Sequence, residues 1–269
     1  MISELEPASI IELGSWKGAS AIHMAQLAHS RGLKPTILCV DTWVGSPGTY
    51  TSQFLDAILP VGGRLPLFDT FLSNVQLCEL QSAIFPMVAT TESAAYSLDF
   101  AGVCVDLIYV DADHEESAVY ADLARYWRFL RPGGVLIGDD YNPAAFPGVV
   151  RAAQRFAREQ SLSVEVHDVK FVFRKGDCII TGLHPAETGA GRPFNLQPDG
   201  SSALAIACRN ASRCAVVRMD GQSLVTTFGS PSLLSALVPS HVLTTPGVRR
   251  VDVESGTIRS NELFFTVTE

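Results

Sequence analysis

The sequence predicts an α/β protein built on a doubly wound, mostly parallel sheet, followed by a small C-terminal β-sandwich. Short β-type runs that alternate with longer helical patterns through the first 175 residues predict the first part. A change of composition after Asp177, beyond which only short alternating runs remain, predicts the second part. Turn pairs such as Asp220-Gly221 and Ser255-Gly256 separate these runs, as in a sandwich of antiparallel strands.

The elements of the first part follow from the spacing of its apolar residues. Runs rich in Val, Ile, Leu and Phe predict strands at Ser9–Leu13, Thr36–Asp41, Phe85–Ala89, Val105–Asp111, Gly134–Asp139 and Val164–Phe173. Apolar residues at helical spacing predict helices at Ala19–Ser30, from Leu67 onward, at Glu115–Leu130 and at Pro147–Gln160. Helix-stop signals support two of the ends, because Gly32 follows the first helix and Arg131-Pro132-Gly133-Gly134 follows the third.

The second part is predicted to begin after a linker. The stretch Leu183–Pro198 is rich in proline and glycine and has no periodicity, which is typical of a linker. We therefore predict a first domain at residues 1–182, a linker at 183–191 and a sandwich at 192–269. The strands of the sandwich are predicted at Ala203–Cys208, Ala215–Met219, Ser223–Phe228, Leu233–Val238, Val248–Val253 and Leu263–Thr268.

One long segment fits the alternation badly. Val44–Leu80 is rich in glycine and proline in its first part and turns helical only from Leu67. A long insertion beside a strand end is either a lid or binding loop, or a plain solvated linker. The sequence leaves both interpretations open.

Composition excludes several classes of protein. The 28 acidic against 20 basic residues, a net charge of −8, argue against a protein that binds nucleic acid or anionic membranes. The first residues lack the order of a signal peptide, so we expect a cytoplasmic protein. The six cysteines include no CxxC pair, so neither a zinc site nor a disulfide framework is indicated, although Cys208 and Cys214 could close a short loop.

A glycine turn between the first strand and the first helix is the most informative motif. Glu12, Gly14 and Gly18 form an ExGxxxG spacing, where dinucleotide enzymes use GxGxxG. A helix that starts at such a turn offers free backbone N–H groups to a ligand. Asp41 ends the second strand, where a carboxylate can accept hydrogen bonds from both hydroxyls of a ribose. Glu12 could instead be a salt-bridged strand residue, and Asp41 a helix cap.

With these motifs the sequence resembles the class I S-adenosylmethionine-dependent methyltransferases, which have a Rossmann-like fold, over nearly all of residues 9–175. In that family the glycine loop holds the methionine part of the cofactor, the acid after strand two holds the ribose, and residues after strand three line the adenine. By position, the resemblance implies that the methionine part is bound by Glu12, Gly14, Ser15 and Gly18. It implies Asp41, with Thr42 and Trp43 beside it, for the ribose. It implies Thr91, Glu92 and Ser93 for the adenine, and Asp111 as a further cofactor-binding residue.

Three further acids follow neighbouring strands. Asp111 ends the fourth strand, and Asp139 and Asp140 follow the fifth, so the parallel sheet should bring them to one edge. Clustered carboxylates raise each other's pKa values unless a cation neutralises them. Hard oxygen ligands suit Mg²⁺, Mn²⁺ or Ca²⁺ and not zinc. Alternatively, Asp111 faces the cofactor, Asp113 caps the next helix, and Asp139 and Asp140 merely start a loop.

This arrangement resembles the metal-dependent O-methyltransferases of the catechol, caffeoyl-CoA and macrocin types. The resemblance implies a divalent metal, Mg²⁺ before Mn²⁺ or Ca²⁺, at Asp111, Asp139 and Asp140. His114 stands where the catechol-type enzymes place a catalytic lysine, and a histidine accepts a proton near neutral pH. Asp113 is the rival base, and a His114 without a catalytic role is the alternative.

Only eight residues precede the first strand, so we expect residues 44–80, another subunit or residues beyond this sequence to cover the cofactor.

We therefore expect a methyltransferase that acts on a hydroxyl of a small molecule, such as a sugar or glycosylated metabolite. A metal-independent methyltransferase and a cofactor-binding scaffold without turnover are the alternatives. Residues 192–269 resemble an immunoglobulin-like IPT/TIG domain in their Asp-Gly turn and Phe-Thr-Val ending. Such a domain would serve as a spacer, a dimerisation surface or a binding site for a protein partner.

Overall fold

The computed structural model describes residues 2–45, 65–256 and 258–269. The chain forms two compact units. The first comprises Met1–Ala101, Val105–Leu130 and Gly134–Arg174, and the second comprises Gly102–Cys104, Arg131–Gly133 and Lys175–Glu269. No helix in the described part of the chain is both long and apolar enough to cross a bilayer.

The first unit is built on a seven-stranded sheet. Its strands are β1 (Ser9–Leu13), β2 (Thr36–Asp41), β3 (Ile84–Val88), β4 (Val105–Val110), β5 (Leu130–Gly138), β6 (Glu165–His167) and β7 (Lys170–Arg174). They lie in the order β3-β2-β1-β4-β5-β7-β6, and the first five are parallel. The strand order reverses between β1 and β4, and this switch point is where doubly wound sheets bind ligands.

Helices pack around this sheet and close its core. They are α1 (Ile2–Leu5), α2 (Ala19–His29), α3 (Leu67–Leu77), α4 (Thr91–Phe100), α5 (Glu116–Tyr126) and α6 (Pro147–Gln160), with a short 3₁₀ turn at Trp127–Phe129. Thr90 caps α4 by accepting a hydrogen bond from the Ser93 N–H, and Pro147 opens α6, where its missing N–H costs nothing. Every residue of β4 is buried, as expected for a central parallel strand.

The predicted doubly wound, mostly parallel sheet is confirmed, with two local corrections. The single predicted strand Val164–Phe173 is a hairpin of β6 and β7, because Asp168 adopts a left-handed φ of 55° and reverses the chain. The predicted strand Gly134–Asp139 begins earlier, at Leu130, and runs through the Pro132-Gly133 pair. The helix before it ends correspondingly early, at Tyr126.

The second unit consists of two sheets around one core. Its strands are β8 (Ile179–His184), β9 (Glu187–Gly189), β10 (Ser202–Arg209), β11 (Val216–Met219), β12 (Gln222–Ser223), β13 (Val225–Ser230), β14 (Leu233–Val238), β15 (Gly247–Ser255), β16 (Ile258–Arg259) and β17 (Leu263–Thr268). One sheet has the order β13-β14-β10-β8 and the other β12-β11-β15-β17-β9. Leu204 and Ile206 of the first sheet share a buried cluster with Val253 and Phe265 of the second. The immunoglobulin-like class of this unit stays a prediction.

The structure differs from the predicted domain boundary at Gly182 and from the predicted linker at 183–191. Leu183 pairs with Ile206 inside the sheet that contains β8, and β9 adds a parallel strand beside β17. β9 has only three residues, and β8 contains Thr181, Gly182 and His184 beside its apolar residues, so no alternating apolar pattern marks either strand in the sequence. The second unit therefore begins at Lys175, and the predicted linker belongs to its sheets.

Candidate active site at the switch point of the sheet

The glycine loop after β1 lies directly against the end of β4. Gly14 has a left-handed φ of 80°, and a Cβ on it would lie 2.0 Å from the carbonyl oxygen of Asp111. The Gly14 N–H donates to the Val40 carbonyl at 2.9 Å, and the Asp111 N–H donates to the Leu13 carbonyl at 2.8 Å. Only a glycine allows this approach, which forms the crevice between the two strand ends.

Asp41 holds the loop in place. Its Oδ2 accepts the backbone N–H groups of Ser15 at 2.9 Å and Trp16 at 2.8 Å, and its Oδ1 accepts the Trp43 N–H at 2.7 Å. These three bonds leave the carboxylate room for a further donor, since it has about four lone-pair sites. Asp41 therefore acts as a backbone cap in this structure, and its role toward a ribose stays a prediction.

Glu12 is the buried acid of the site. It is fully buried on β1, and burial raises the pKa of its carboxyl group above the usual value. Its Oε2 accepts a hydrogen bond from the Cys39 thiol at 3.4 Å. Its Oε1 and the buried Oγ of Ser15 have no hydrogen-bond partner among the described residues. The Ser15 and Ser20 side chains nevertheless lie close enough to act on this carboxyl group and lower its pKa, so Glu12 and Ser15 form a buried polar pair that a donor group of a ligand could complete.

Helix α3 covers the glycine loop. The Trp43 indole N–H donates to the Trp16 carbonyl at 2.8 Å, and the Trp43 ring centroid lies 4.9 Å from those of Phe68 and Phe71. The Asn74 side-chain amide donates to the Lys17 carbonyl at 2.9 Å. The described end of the Val44–Leu80 insertion thus packs on the loop, whereas residues 46–64 lie outside the described part. The sequence analysis did not predict these contacts. Phe68 and Phe71, three residues apart on one helix, were a signal that one face of this helix packs against another aromatic residue.

The predicted adenine residues lie at the start of α4, after β3. That end of β3 is beside Asp41, whose carbonyl accepts the Ala89 N–H at 3.0 Å. The Thr91 carbonyl accepts the Tyr126 hydroxyl at 2.7 Å, and Glu92 pairs with Arg125 at 2.8 Å. Ser93 is bound by its N–H to the Thr90 cap. Their contact with an adenine, and that of Thr42 with a ribose, stay predictions.

A second cluster lies at the ends of β4 and β5. Potential ligand atoms of Asp111, His114 and Asp140 lie within 4.8 Å of one another. His114 Nε2 is 2.8 Å from Asp140 Oδ2, and the imidazole stacks on Phe146 at a centroid distance of 4.5 Å. These side chains line a cavity of about 10 Å³, which has room for roughly one water-sized group.

Asp139 lines the same cavity but has other partners than these three residues, and its predicted place among the metal ligands stays a prediction. Its Oδ2 binds both the Lys170 ammonium and the Tyr109 hydroxyl, and its Oδ1 accepts the Asp140 N–H at 2.9 Å. Burial acts to raise the pKa of Asp139, but the bonds from Lys170 and Tyr109 outweigh it and hold this pKa below the usual value. Lys170 therefore neutralises one of the three acids, and sequence reasoning missed it because β7 was hidden within a longer predicted strand.

The remaining acids differ in their surroundings. Burial, together with the charges of Asp139 and Asp140, raises the pKa of Asp111 to about 7. Asp113 is exposed, and its Oδ1 accepts the N–H groups of His114 at 2.7 Å and Glu115 at 2.9 Å. Asp113 therefore stabilises the turn before α5, whose N-cap residue is Glu115, and its role as a base stays a prediction.

Comparison with known proteins gives one family match. Residues 11–141 match the model of a family described as a methyltransferase domain, and this stretch contains the residues of both clusters. No curated protein matches the sequence.

Several solved O-methyltransferases are similar in structure. One from Bacillus cereus, in complex with S-adenosylhomocysteine, has 16% identity and a TM-score of 0.45 over 64% of this chain and 76% of its own. One from Streptomyces achromogenes, involved in tomaymycin synthesis and solved with S-adenosylmethionine, has 15% identity and a TM-score of 0.45 over 65% of this chain and 76% of its own. The first unit is assigned to the doubly wound fold by the strand order of its own sheet.

We predict that Gly14→Ala is much more destabilising than Gly32→Ala. Both glycines have a left-handed φ, 80° and 76°, but a Cβ at Gly32 meets nothing within 4 Å, whereas one at Gly14 meets the Asp111 carbonyl. Gly32→Ala should cost about 1–2 kcal/mol of backbone strain, and Gly14→Ala should cost more because the loop must leave β4. Urea unfolding of the two variants measures the difference, and equal losses would show that the crevice is not closely packed.

We also predict a pH-dependent stability difference between wild type and Asp111→Asn. The folded pKa of Asp111, about 7, lies above the ordinary aspartate value, so the folded state binds the extra proton. Wild type should lose stability relative to the variant as pH rises from about 4 through the folded pKa of about 7, and the difference should be constant from about one pH unit above it. Urea unfolding at several pH values tests this.

Asp199→Asn is the control for this pH series. Hydrogen bonds from Ser201 lower the pKa of Asp199, so its stability difference from wild type should not vary between pH 5 and 8. A flat difference for Asp111→Asn over the same range would show that Asp111 is ionised throughout.

Proposed function

We propose that the protein is an S-adenosylmethionine-dependent O-methyltransferase whose acceptor is a hydroxyl group of a small molecule, with sugars and glycosylated metabolites as the first candidates. The observation that carries the proposal is the crevice at the switch point. It places the glycine loop, with the spare buried oxygen of Glu12, beside Asp111 and the His114–Asp140 pair. The methyltransferase-domain match over residues 11–141 supports it.

The residues of the loop fit this cofactor. S-adenosylmethionine has an ammonium group and a ribose diol as donors, and when bound it supplies a methyl group carried on a positively charged sulfur. Glu12 Oε1 and Ser15 Oγ are buried acceptors without a described partner, and Glu12 would receive the ammonium group. Asp41 would hold the ribose through its remaining lone pair, while its other bonds keep the loop closed.

His114 is the base that this geometry supports best. Its Nε2 is bound to Asp140, which orients the ring, and Phe146 supports the ring face. A neutral imidazole can accept a hydroxyl proton near neutral pH, and a neighbouring carboxylate stabilises the imidazolium that forms. Asp113 is the weaker candidate, because one of its oxygens already accepts the backbone N–H groups of His114 and Glu115.

A divalent metal is the alternative use of the same residues. Asp111, His114 and Asp140 would hold it, and it would lower the pKa of a coordinated hydroxyl group. Two carboxylates with an imidazole suit Mn²⁺ at least as well as Mg²⁺. His114 cannot be both ligand and base, so metal binding at these three residues and proton transfer by a His114 paired with Asp140 are separate candidates.

We predict that the protein binds S-adenosylmethionine and that Glu12→Gln weakens this binding. The loss of a charge-assisted hydrogen bond costs about 1.5–3 kcal/mol, which corresponds to roughly 10- to 150-fold in affinity. Isothermal titration calorimetry with S-adenosylmethionine, and with NAD as a negative control, measures this. Glu187→Gln, an exposed change in the second unit, is the matched control and should bind as wild type does. Unchanged affinity in Glu12→Gln would remove Glu12 from the cofactor site.

We predict that any metal uptake depends on Asp140 and not on Asp139. Asp140→Ala should abolish Mn²⁺ binding measured by titration, whereas Asp139→Asn should retain it because Asp139 is bound to Lys170. Turnover is then followed as S-adenosylhomocysteine release with a panel of glycosides and catechols, with and without chelator. Activity that survives chelation but is lost in His114→Ala selects the metal-independent reaction. Cofactor binding without turnover on any acceptor would favour the scaffold alternative.

A further inference from the structure

Two cysteines far apart in the sequence meet in the second unit. The backbone N–H of Cys214 donates to the sulfur of Cys104 at 3.2 Å, across a separation of 110 residues. The two thiols also act on each other's pKa values. Both cysteines are free and only partly buried, so small reagents can reach them. The two side chains are therefore neighbours, which is the first requirement for a bridge.

The surroundings of the pair distinguish its two members. The Ser212 hydroxyl lies 3.3 Å from the Cys214 sulfur and 3.1 Å from the Ser255 hydroxyl, which anchors it. The hydrogen bond from the Cys104 thiol lowers the pKa of Cys214, and the positive charge of Arg131 acts in the same direction. The same thiol–thiol bond, together with burial, raises the pKa of Cys104. Negative charge is thus favoured on Cys214 and disfavoured on Cys104.

Lys175 adds a second cationic group to this environment. Its side chain is buried, and burial lowers its pKa to about 8, while the neighbouring sulfurs of Cys104 and Cys214 act to raise it. Reactive cysteines are partly exposed thiols in such electropositive surroundings, often beside a second cysteine.

The other cysteines of the second unit lack these features. Cys208 is buried, its sulfur contacts the Pro231 carbonyl at 3.8 Å, and burial raises its pKa. Burial likewise raises the pKa of Cys178, to about 12. The pairing of Cys208 with Cys214 that the sequence left open is therefore not the one that the structure brings together.

We propose that Cys214 and Cys104 form a redox-active thiol pair, in which Cys214 reacts with hydroperoxides and Cys104 resolves the product as an intramolecular disulfide. The Cys214 thiolate attacks one peroxide oxygen, the O–O bond breaks, and the leaving oxygen takes up a proton to form water or an alcohol. The resulting sulfenic acid is attacked by the Cys104 sulfur. The S–S bond forms, the S–O bond breaks, and the hydroxide leaves as water with the Cys104 proton. Two thiols are oxidised and one peroxide is reduced.

The first test uses the reduced, full-length wild-type protein. Limited alkylation with iodoacetamide at neutral pH should label Cys214 at least about tenfold faster than Cys208, because its thiolate is favoured and exposed. After treatment with hydrogen peroxide, intact mass should fall by two hydrogen atoms. Proteolysis should then yield one peptide pair linked through Cys104 and Cys214, and dithiothreitol should separate it.

Variants assign the two roles. Cys104→Ser should stop at a sulfenic acid on Cys214, which dimedone traps, and Cys214→Ser should form no linked peptide. Cys208→Ser is the matched control and should behave as wild type. A bridge between other cysteines, or no bridge at peroxide concentrations that oxidise free glutathione, would overturn the proposal. Because the wild-type measurements stand alone, a variant that fails to fold does not remove the test.

Discussion

The contact between the Gly14 backbone and the Asp111 carbonyl is the constraint on which the candidate site depends. No side chain fits between them, so the ends of β1 and β4 stay together and the loop turns away toward α2. Asp41 can then reach three backbone N–H groups of the loop and of the segment after β2. The same contact fixes the start of the turn that carries Asp111 and His114. The absence of a side chain at Gly14 thus positions both the glycine loop and the turn that carries Asp111 and His114.

The balance of charge at the ends of β4 and β5 explains why neighbouring acids behave differently. Lys170 and Tyr109 satisfy Asp139, which keeps that carboxylate ionised. Burial and two acidic neighbours raise the pKa of Asp111 to about 7. Asp140 has a left-handed φ of 58°, an uncommon conformation that aims its side chain at His114. The corner therefore contains one neutralised acid, one whose pKa is raised and one that is paired with an imidazole.

The sequence predicted the parallel sheet well because its strands are continuous apolar runs, and β1 and β2 have the predicted ends. It also placed Glu12, Gly14, Asp41 and Asp111 at one edge, since parallel topology dictates this. It could not predict the Lys170–Asp139 pair, because β7 approaches β5 antiparallel and its register depends on the Asp168 turn. The first strands of the second unit were missed because β9 has only three residues and the apolar residues of β8 do not alternate with polar ones.

The interleaving of the two units along the chain has a consequence for biosynthesis. Gly102–Cys104 and Arg131–Gly133 belong to the second unit but leave the ribosome before Lys175, where the continuous part of that unit begins. The nascent chain can assemble the strands β1 to β5 while these two short peptides still lack their neighbours. Cys104 is therefore exposed without Cys214 during that interval. The last third of the chain must be synthesised before either peptide acquires its native surroundings.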